Sequence, residues 1–160
     1  MKRWIKYITG IIIVNLVLCF NAYALDIKLL ELREKLFLES SQIKQEIKPD
    51  TPDFVLLSGL FDSCIQVVTQ IDAYFYMLGI FEFIRKEELN KSCFNFLLSW
   101  LEVMKKTNDL NLNNLKSTTA VEDKTKNRIE KIRNYFMEID KQISREKNRM
   151  NILMRSLKIR

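Results

Sequence analysis

The chain has 160 residues, 48% of them hydrophobic and 29% charged, and a formal net charge of +6 at neutral pH. It contains no histidine, which excludes a histidine general base, histidine metal ligands and a c-type haem attachment site. Only three glycines and two prolines are present, so there is no glycine-rich phosphate loop, and a few long helices are favoured over a sheet. We therefore expect no cofactor, no metal site and no enzymatic activity.

The first 24 residues have the three parts of an export signal. Their start is basic, residues 8–20 are almost wholly apolar, and Ala22 and Ala24 are the small residues that a signal peptidase recognises. The apolar run is shorter than the roughly 20 residues needed to cross a bilayer as a helix. The sequence predicts cleavage after Ala24 and a periplasmic or secreted mature protein.

Two alternatives keep the body of the protein outside the cytoplasm. Residues 4–25 would act as a membrane anchor if they were not cleaved. Acylation of Cys19 as in a bacterial lipoprotein is disfavoured, because Leu18 stands where a small residue is normally required.

Cleavage would leave two cysteines, Cys64 and Cys93. In an oxidising compartment they have one intramolecular pairing, and we predict a disulfide bond between them. The alternative is two separate buried thiols, since cysteine is often a core residue.

The first two helices are predicted over residues 25–48 and 51–78. Pro49 ends the first, Thr51 is a suitable cap for the second, and Pro52 fits its first helical position. Four polar residues on the second helix argue against its crossing a membrane: Asp62, Gln66, Gln70 and Asp72.

The turn between the second and third helices has two candidate positions. A turn at Gly79 would bring Cys64 and Cys93 to the same height in an antiparallel pair, whereas a turn at Glu88–Ser92 would forbid the disulfide. We predict the turn at Gly79, a third helix over residues 80–107 and an Asn-rich linker over 108–117.

The last helix is predicted over residues 118–158, with Thr119 and Glu122 as a capping box. Its apolar residues alternate three- and four-residue steps, which is typical of a coiled-coil seam, and only Glu146 interrupts the pattern. The predicted fold is all-α, an antiparallel bundle of about four helices with a long C-terminal coiled-coil-like helix.

This last helix is also basic. One interpretation is a solvated face; others are contact with an anionic membrane surface or polymer, and docking of another helix, including a second copy of the chain. Nucleic acid is not expected as a partner of an exported protein. The predicted basic surface consists of Lys124, Lys126, Arg128, Lys131, Arg133, Arg145, Lys147, Arg149 and Arg155.

An aromatic run from Tyr74 to Ile84 holds a single charge and is the predicted site for a protein partner. Its candidate binding residues are Tyr74, Tyr76, Phe81 and Phe83. The leading hypothesis is an exported, non-catalytic protein that binds another protein or assembles into an envelope complex.

The sequence leaves two other functions open. One is a carrier that encloses an apolar ligand among Phe61, Tyr74, Phe75, Phe96 and Trp100. The other is a hydrolase that uses a carboxylate pair, either Asp50 with Asp53 or Glu87 with Glu88. Carboxylates at such spacing more often lie in solvent at the ends of helices.

Overall fold

The computed structural model describes residues 27–83 and 91–156, with side chains of the first range described as far as residue 81. Within these ranges the chain forms four α-helices and no strand, which confirms the predicted all-α bundle. The helices are α1 (27–46), α2 (Phe54–Phe83), α3 (Lys91–Lys116) and α4 (Asp123–Ser156). The predicted cleavage positions, Ala22 and Ala24, lie outside the described residues.

Each helix contributes one apolar stripe to a common core. The predicted seam of α4 is buried throughout its first six turns, and burial of each large aliphatic side chain contributes roughly 1.5–3 kcal/mol. The hydrophobic residues at 0% exposure are Leu36, Ile43, Cys64, Ile71, Tyr74, Leu101, Ile132, Phe136, Ile139 and Ile143.

The side-chain bonds between helices define how α1, α2 and α3 run. Arg33 on α1 donates two hydrogen bonds of 2.8 Å to Asp72 on α2. Gln70 on α2 donates to Thr107 on α3 at 2.9 Å and accepts from the Trp100 indole at 3.2 Å. If α3 ran parallel to α2, these two contacts of Gln70 would place the first residue of α3 roughly 37 Å from the last residue of α2. The seven intervening residues can span at most about 28 Å, so α2 and α3 are antiparallel.

Helix α4 runs antiparallel to α3 and α1, and parallel to α2. Asn108 donates to the Phe136 carbonyl at 2.7 Å and Lys105 lies 2.5 Å from Asp140, while Arg128 bonds Glu46 of α1 at 2.6 Å. Just before the two helices begin, the Val121 amide donates to Asp53. More than twenty residues later in both segments, Tyr74 of α2 donates to Glu146 of α4. The result is an up-down-up-down bundle in which α2 and α4 are the diagonal pair.

The predicted turn at Gly79 is wrong, because α2 continues through it to Phe83. A glycine inside a helix costs about 1 kcal/mol relative to alanine. Burial on both sides of Gly79 offsets this cost, since Met77, Leu78 and Phe81 all pack against the core. The alternative turn region begins outside the described residues, and α3 starts at Lys91.

The predicted disulfide is also wrong: Cys64 and Cys93 are not bonded to one another. The contacts of Gln70 with Trp100 and Thr107 place Cys64 level with residues 106–113 of α3, which are 13–20 residues from Cys93. At 1.5 Å per residue the two cysteines are separated by roughly 20–30 Å, far beyond the Cα separation of about 7 Å that a disulfide tolerates. Burial raises the pKa of the Cys64 thiol to about 12.

The predicted Asn-rich linker is helical instead, since α3 extends to Lys116. Asn108 and Asn111 are buried on the same side as Leu101, Met104 and Leu115. The amide of Asn108 is compatible with the core because it bonds the Phe136 carbonyl. Asparagine has a low helix propensity, but continuing the helix buries Asn108, Asn111 and Leu115 on one face.

The start of α4 differs from the prediction as well. The helix begins at Asp123, and the first α-helical hydrogen bond runs from the Lys126 amide to the Glu122 carbonyl at 3.0 Å. Thr119 is exposed and lies outside the helix, so it is not the cap. Asp53 instead accepts hydrogen bonds from the amides of Val121 and Glu122, the two residues just before the helix, at 2.9 and 3.0 Å.

Candidate binding surface at one end of the bundle

The structure separates the four residues predicted to bind a partner. Tyr74 is completely buried, Tyr76 is 73% exposed, and Phe81 is half-buried against the core. The side chain of Phe83 lies outside the described residues. Of the three whose side chains are described, only Tyr76 presents most of its ring to an incoming molecule.

Tyr74 belongs to a buried polar contact across the bundle. Its hydroxyl donates to Glu146 at 2.5 Å, and Glu146 is itself 2% exposed. Arg149 forms an ion pair with the same carboxylate and donates to it from Nε at 2.8 Å. Glu146 is the residue that interrupts the apolar pattern of α4. That interruption was a sequence signal for a polar partner on another helix, although it did not say which residue.

Exposed large apolar side chains occur at the same height on all four helices. Counting from Arg33–Asp72, Ile27 is level with residue 78 of α2. Counting from the contacts of Gln70 with Trp100 and Thr107, Phe96 of α3 is level with residues 74–81 of α2. Counting from Tyr74–Glu146, Ile152 of α4 is level with Ile80. We call these residues the apolar collar; it consists of Ile27, Leu30, Tyr76, Ile80, Phe96 and Ile152.

The end of the bundle that bears the collar has more basic than acidic residues. We define this collar end as residues 27–31, 74–83, 91–100 and 144–156. It holds six basic residues against three acidic ones, Glu31, Glu82 and Glu146, and so has a surplus of three positive charges. The basic residues are Lys28, Lys91, Arg145, Lys147, Arg149 and Arg155.

The opposite end has no such surplus. We define it as residues 44–60 and 114–130, which hold six basic and six acidic residues. The positive charge of the protein is thus unevenly distributed along the bundle axis, and the excess coincides with the apolar collar.

The predicted basic surface on α4 is mostly engaged in ion pairs. Lys124 lies 2.9 Å from Glu46 and Lys126 lies 2.8 Å from Asp123, while Lys131 pairs with Glu39 and Lys147 with Glu102. Arg145 contacts Gln142 at 3.5 Å, and Arg133 and Arg155 are exposed. Much of this charge holds α4 against its neighbours, so the nine residues do not form one free cationic face.

The ion pairs of α1 with α4 centre on Arg128, whose side chain is 10% exposed. It donates two hydrogen bonds to Glu46, at 2.6 and 3.1 Å, and lies 3.6 Å from Glu39. These bonds, together with Lys124, lower the pKa of Glu46 to about 2 and raise the pKa of Arg128. Sequence reasoning missed Glu39 and Glu46; their seven-residue spacing, which places both on one face of α1, was the available signal.

The carboxylate pairs do not form a hydrolytic site in the described part of the chain. Asp53 is 5% exposed, and the backbone amides of Val121 and Glu122 lower the pKa of its carboxyl group. Asp50 is exposed, and Glu87 and Glu88 lie outside the described residues. Asp53 thus joins the N-terminal ends of α2 and α4, and the described residues contain no cluster of three potential metal ligands.

The five residues suggested for an apolar ligand do not surround a common interior. Tyr74 is buried and packs edge-on against Phe75, with ring centroids 5.9 Å apart, whereas Phe96 is 55% exposed. Trp100 is half-buried, with its indole nitrogen bonded to the Gln70 carbonyl.

Among the described residues, one stretch, Phe54–Phe81 of α2, is long and apolar enough to cross a membrane by length and composition. In the bundle this helix contributes Cys64, Ile71 and Tyr74 to the core. It also carries Asp72, which is paired with Arg33.

No model of a protein family, no curated protein and no solved structure matches the chain.

Proposed function

We propose that the protein is exported and acts by binding rather than by catalysis, with the collar end as its binding surface. The observation that carries this proposal is the coincidence of six exposed apolar side chains with the net positive end of the bundle. Large apolar side chains that lie close together on a surface mark interaction sites. Export is supported by the basic, apolar and small-residue segments at the start of the chain.

The compartment is tested by cell fractionation and N-terminal sequencing of the purified protein. Cleavage gives Leu25 as the first residue in a soluble extracytoplasmic fraction. A protein that begins at Met1 and is found in the membrane fraction would show that the segment is retained as an anchor. Recovery of the intact chain in the cytosol would refute export.

The binding surface is tested by placing a photo-crosslinking amino acid at position 76 or at position 55 in living cells. Tyr76 and Val55 are 73% and 82% exposed, and they lie at opposite ends of α2. We expect adducts from position 76 but not from position 55. A protein adduct identifies the protein partner that the sequence predicts, and a lipid adduct identifies a membrane surface. Equal yields from the two positions, or no adduct from either, would refute the collar end as the binding surface.

A further inference from the structure

We infer that the collar end binds the surface of a membrane that contains anionic lipids. This inference rests on the proposed function in one respect, that the collar end is the binding surface, and it names the chemistry of what is bound. The apolar collar would enter the headgroup region, and the surrounding basic side chains would contact lipid phosphates.

The collar end combines apolar with basic side chains. Apolar residues accompanied by lysine and arginine are typical of protein surfaces that lie in a membrane interface. Long basic side chains suit that position because their methylene groups pack along apolar surface while their charged groups reach phosphates. At the centre of a protein–protein interface, by contrast, lysine is depleted. At the collar end Lys91 is exposed, and Lys28 remains accessible to solvent in an ion pair of 3.4 Å with Glu31.

Charge is unevenly distributed along the bundle. An anionic membrane attracts basic residues within about one Debye length of its surface, roughly 8–10 Å. The surplus of three positive charges lies at the collar end, whereas basic and acidic residues are equal in number at the opposite end. The bundle would therefore approach such a membrane with its collar end first.

The chain enters the bundle at the collar end. Because α1 is antiparallel to α2, its first described residue, Ile27, lies at the collar end. The apolar segment of residues 8–20 precedes it in the sequence. An anchor retained there would attach the bundle to the membrane by the collar end. If the segment is cleaved, the collar and the basic residues remain.

The test is acylation of lysine side chains by a water-soluble reagent, followed by peptide mass spectrometry. The purified protein, with the N-terminus that the cell produces, is measured with neutral phosphatidylcholine vesicles and with vesicles that also contain phosphatidylglycerol. Lys28 and Lys91 report on the collar end. Lys44 and Lys126, also accessible to solvent, report on the opposite end.

Anionic vesicles are expected to slow acylation of Lys28 and Lys91 several-fold, to leave Lys44 and Lys126 unchanged, and to lose this effect at high salt. Neutral vesicles are expected to protect Lys28 and Lys91 much less. Equal protection at both ends, equal protection by both vesicle types or no protection would each overturn the inference. This readout remains valid whether or not the N-terminal segment attaches the protein to the vesicle.

Two charge-matched variants sharpen the test. Tyr76→Asp places a carboxylate in the collar, and Val55→Asp makes the same charge change at a similarly exposed site at the opposite end. Tyr76→Asp should remove most of the protection of Lys91 from acylation, and Val55→Asp should preserve it. An equal loss of protection in the two variants would overturn the inference. Protein adducts from position 76 without vesicle protection would refute the lipid surface while leaving the proposed function intact. If neither adducts from position 76 nor protection by vesicles is observed, both the lipid surface and the proposed function are refuted.

Discussion

The ion pair between α1 and α4 makes a specific prediction about stability and pH. The Glu46 carboxylate accepts two hydrogen bonds from Arg128 and lies 2.9 Å from Lys124. Glu46→Gln keeps the size of the side chain but removes its negative charge. These contacts lower the pKa of Glu46 from its ordinary 4.5 to about 2, chiefly through the hydrogen bonds from Arg128.

The magnitude follows from linkage between protonation and folding. A shift of roughly 2.5 units at 1.36 kcal/mol per unit would correspond to about 3 kcal/mol. The Glu46 side chain is 33% exposed, so water and salt weaken the pair, and we expect about 1–2 kcal/mol. Because the folded-state pKa is depressed, this stabilisation is fully present above the unfolded pKa of about 4.5. It is lost as the pH falls towards 2.

The assay is urea or thermal unfolding of the wild type and of Glu46→Gln between about pH 7 and pH 3, monitored by circular dichroism. The variant should melt about 3–8 °C lower at neutral pH, with the difference shrinking as the pH approaches 3. Glu130→Gln is the control, because Glu130 is exposed on the same helix as Arg128. A difference that does not change with pH, or an equal effect of Glu130→Gln, would refute the reasoning.

Three further predictions concern the core. Tyr74→Phe should lower the free energy of unfolding by about 1.5–3 kcal/mol, because buried Glu146 loses a hydrogen-bond donor, whereas Tyr76→Phe should change it by less than about 0.5 kcal/mol in the same urea titration. Ile132→Ala should cost about 2–5 kcal/mol and Val55→Ala very little; equal losses would contradict the burial of the α4 seam. Cys64, whose thiol has a pKa of about 12, should resist alkylation near pH 8 until the protein is unfolded, and intact mass should be the same with and without reductant. Rapid alkylation of native Cys64, or a mass difference of two hydrogens, would count against the structure.

The apolar patterns within each helix were predicted well because they depend on local geometry. The spacing from Ile129 to Ile143 on α4 predicts one buried face, and the structure buries it. Helix boundaries were predicted less well. Gly79 and the asparagines of residues 108–114 are poor helix formers, but continuing the helix buries Phe81 in one case and Leu115 in the other. Tertiary packing outweighs a propensity difference of about 1 kcal/mol.

The candidate surface was predicted in part. Sequence placed Tyr74 and Tyr76 together in one aromatic run, but helical periodicity alone did not say that one faces the core and the other the solvent. The collar also includes residues of α1, α3 and α4 that sequence did not connect with Tyr76. Their common height depends on contacts between helices, such as Gln70 with Thr107, that join residues far apart in the chain.

The amino-acid sequence by itself determined that the chain forms long amphipathic helices, because a 3.6-residue period decides which side chains share a face. Only the tertiary structure decided how far each helix is displaced along its neighbours. That displacement separates Cys64 from Cys93, brings Tyr74 to Glu146 and aligns the collar. The physical reason is that apolar stripes tolerate several axial offsets, whereas hydrogen bonds and ion pairs between particular residues are satisfied at one of them.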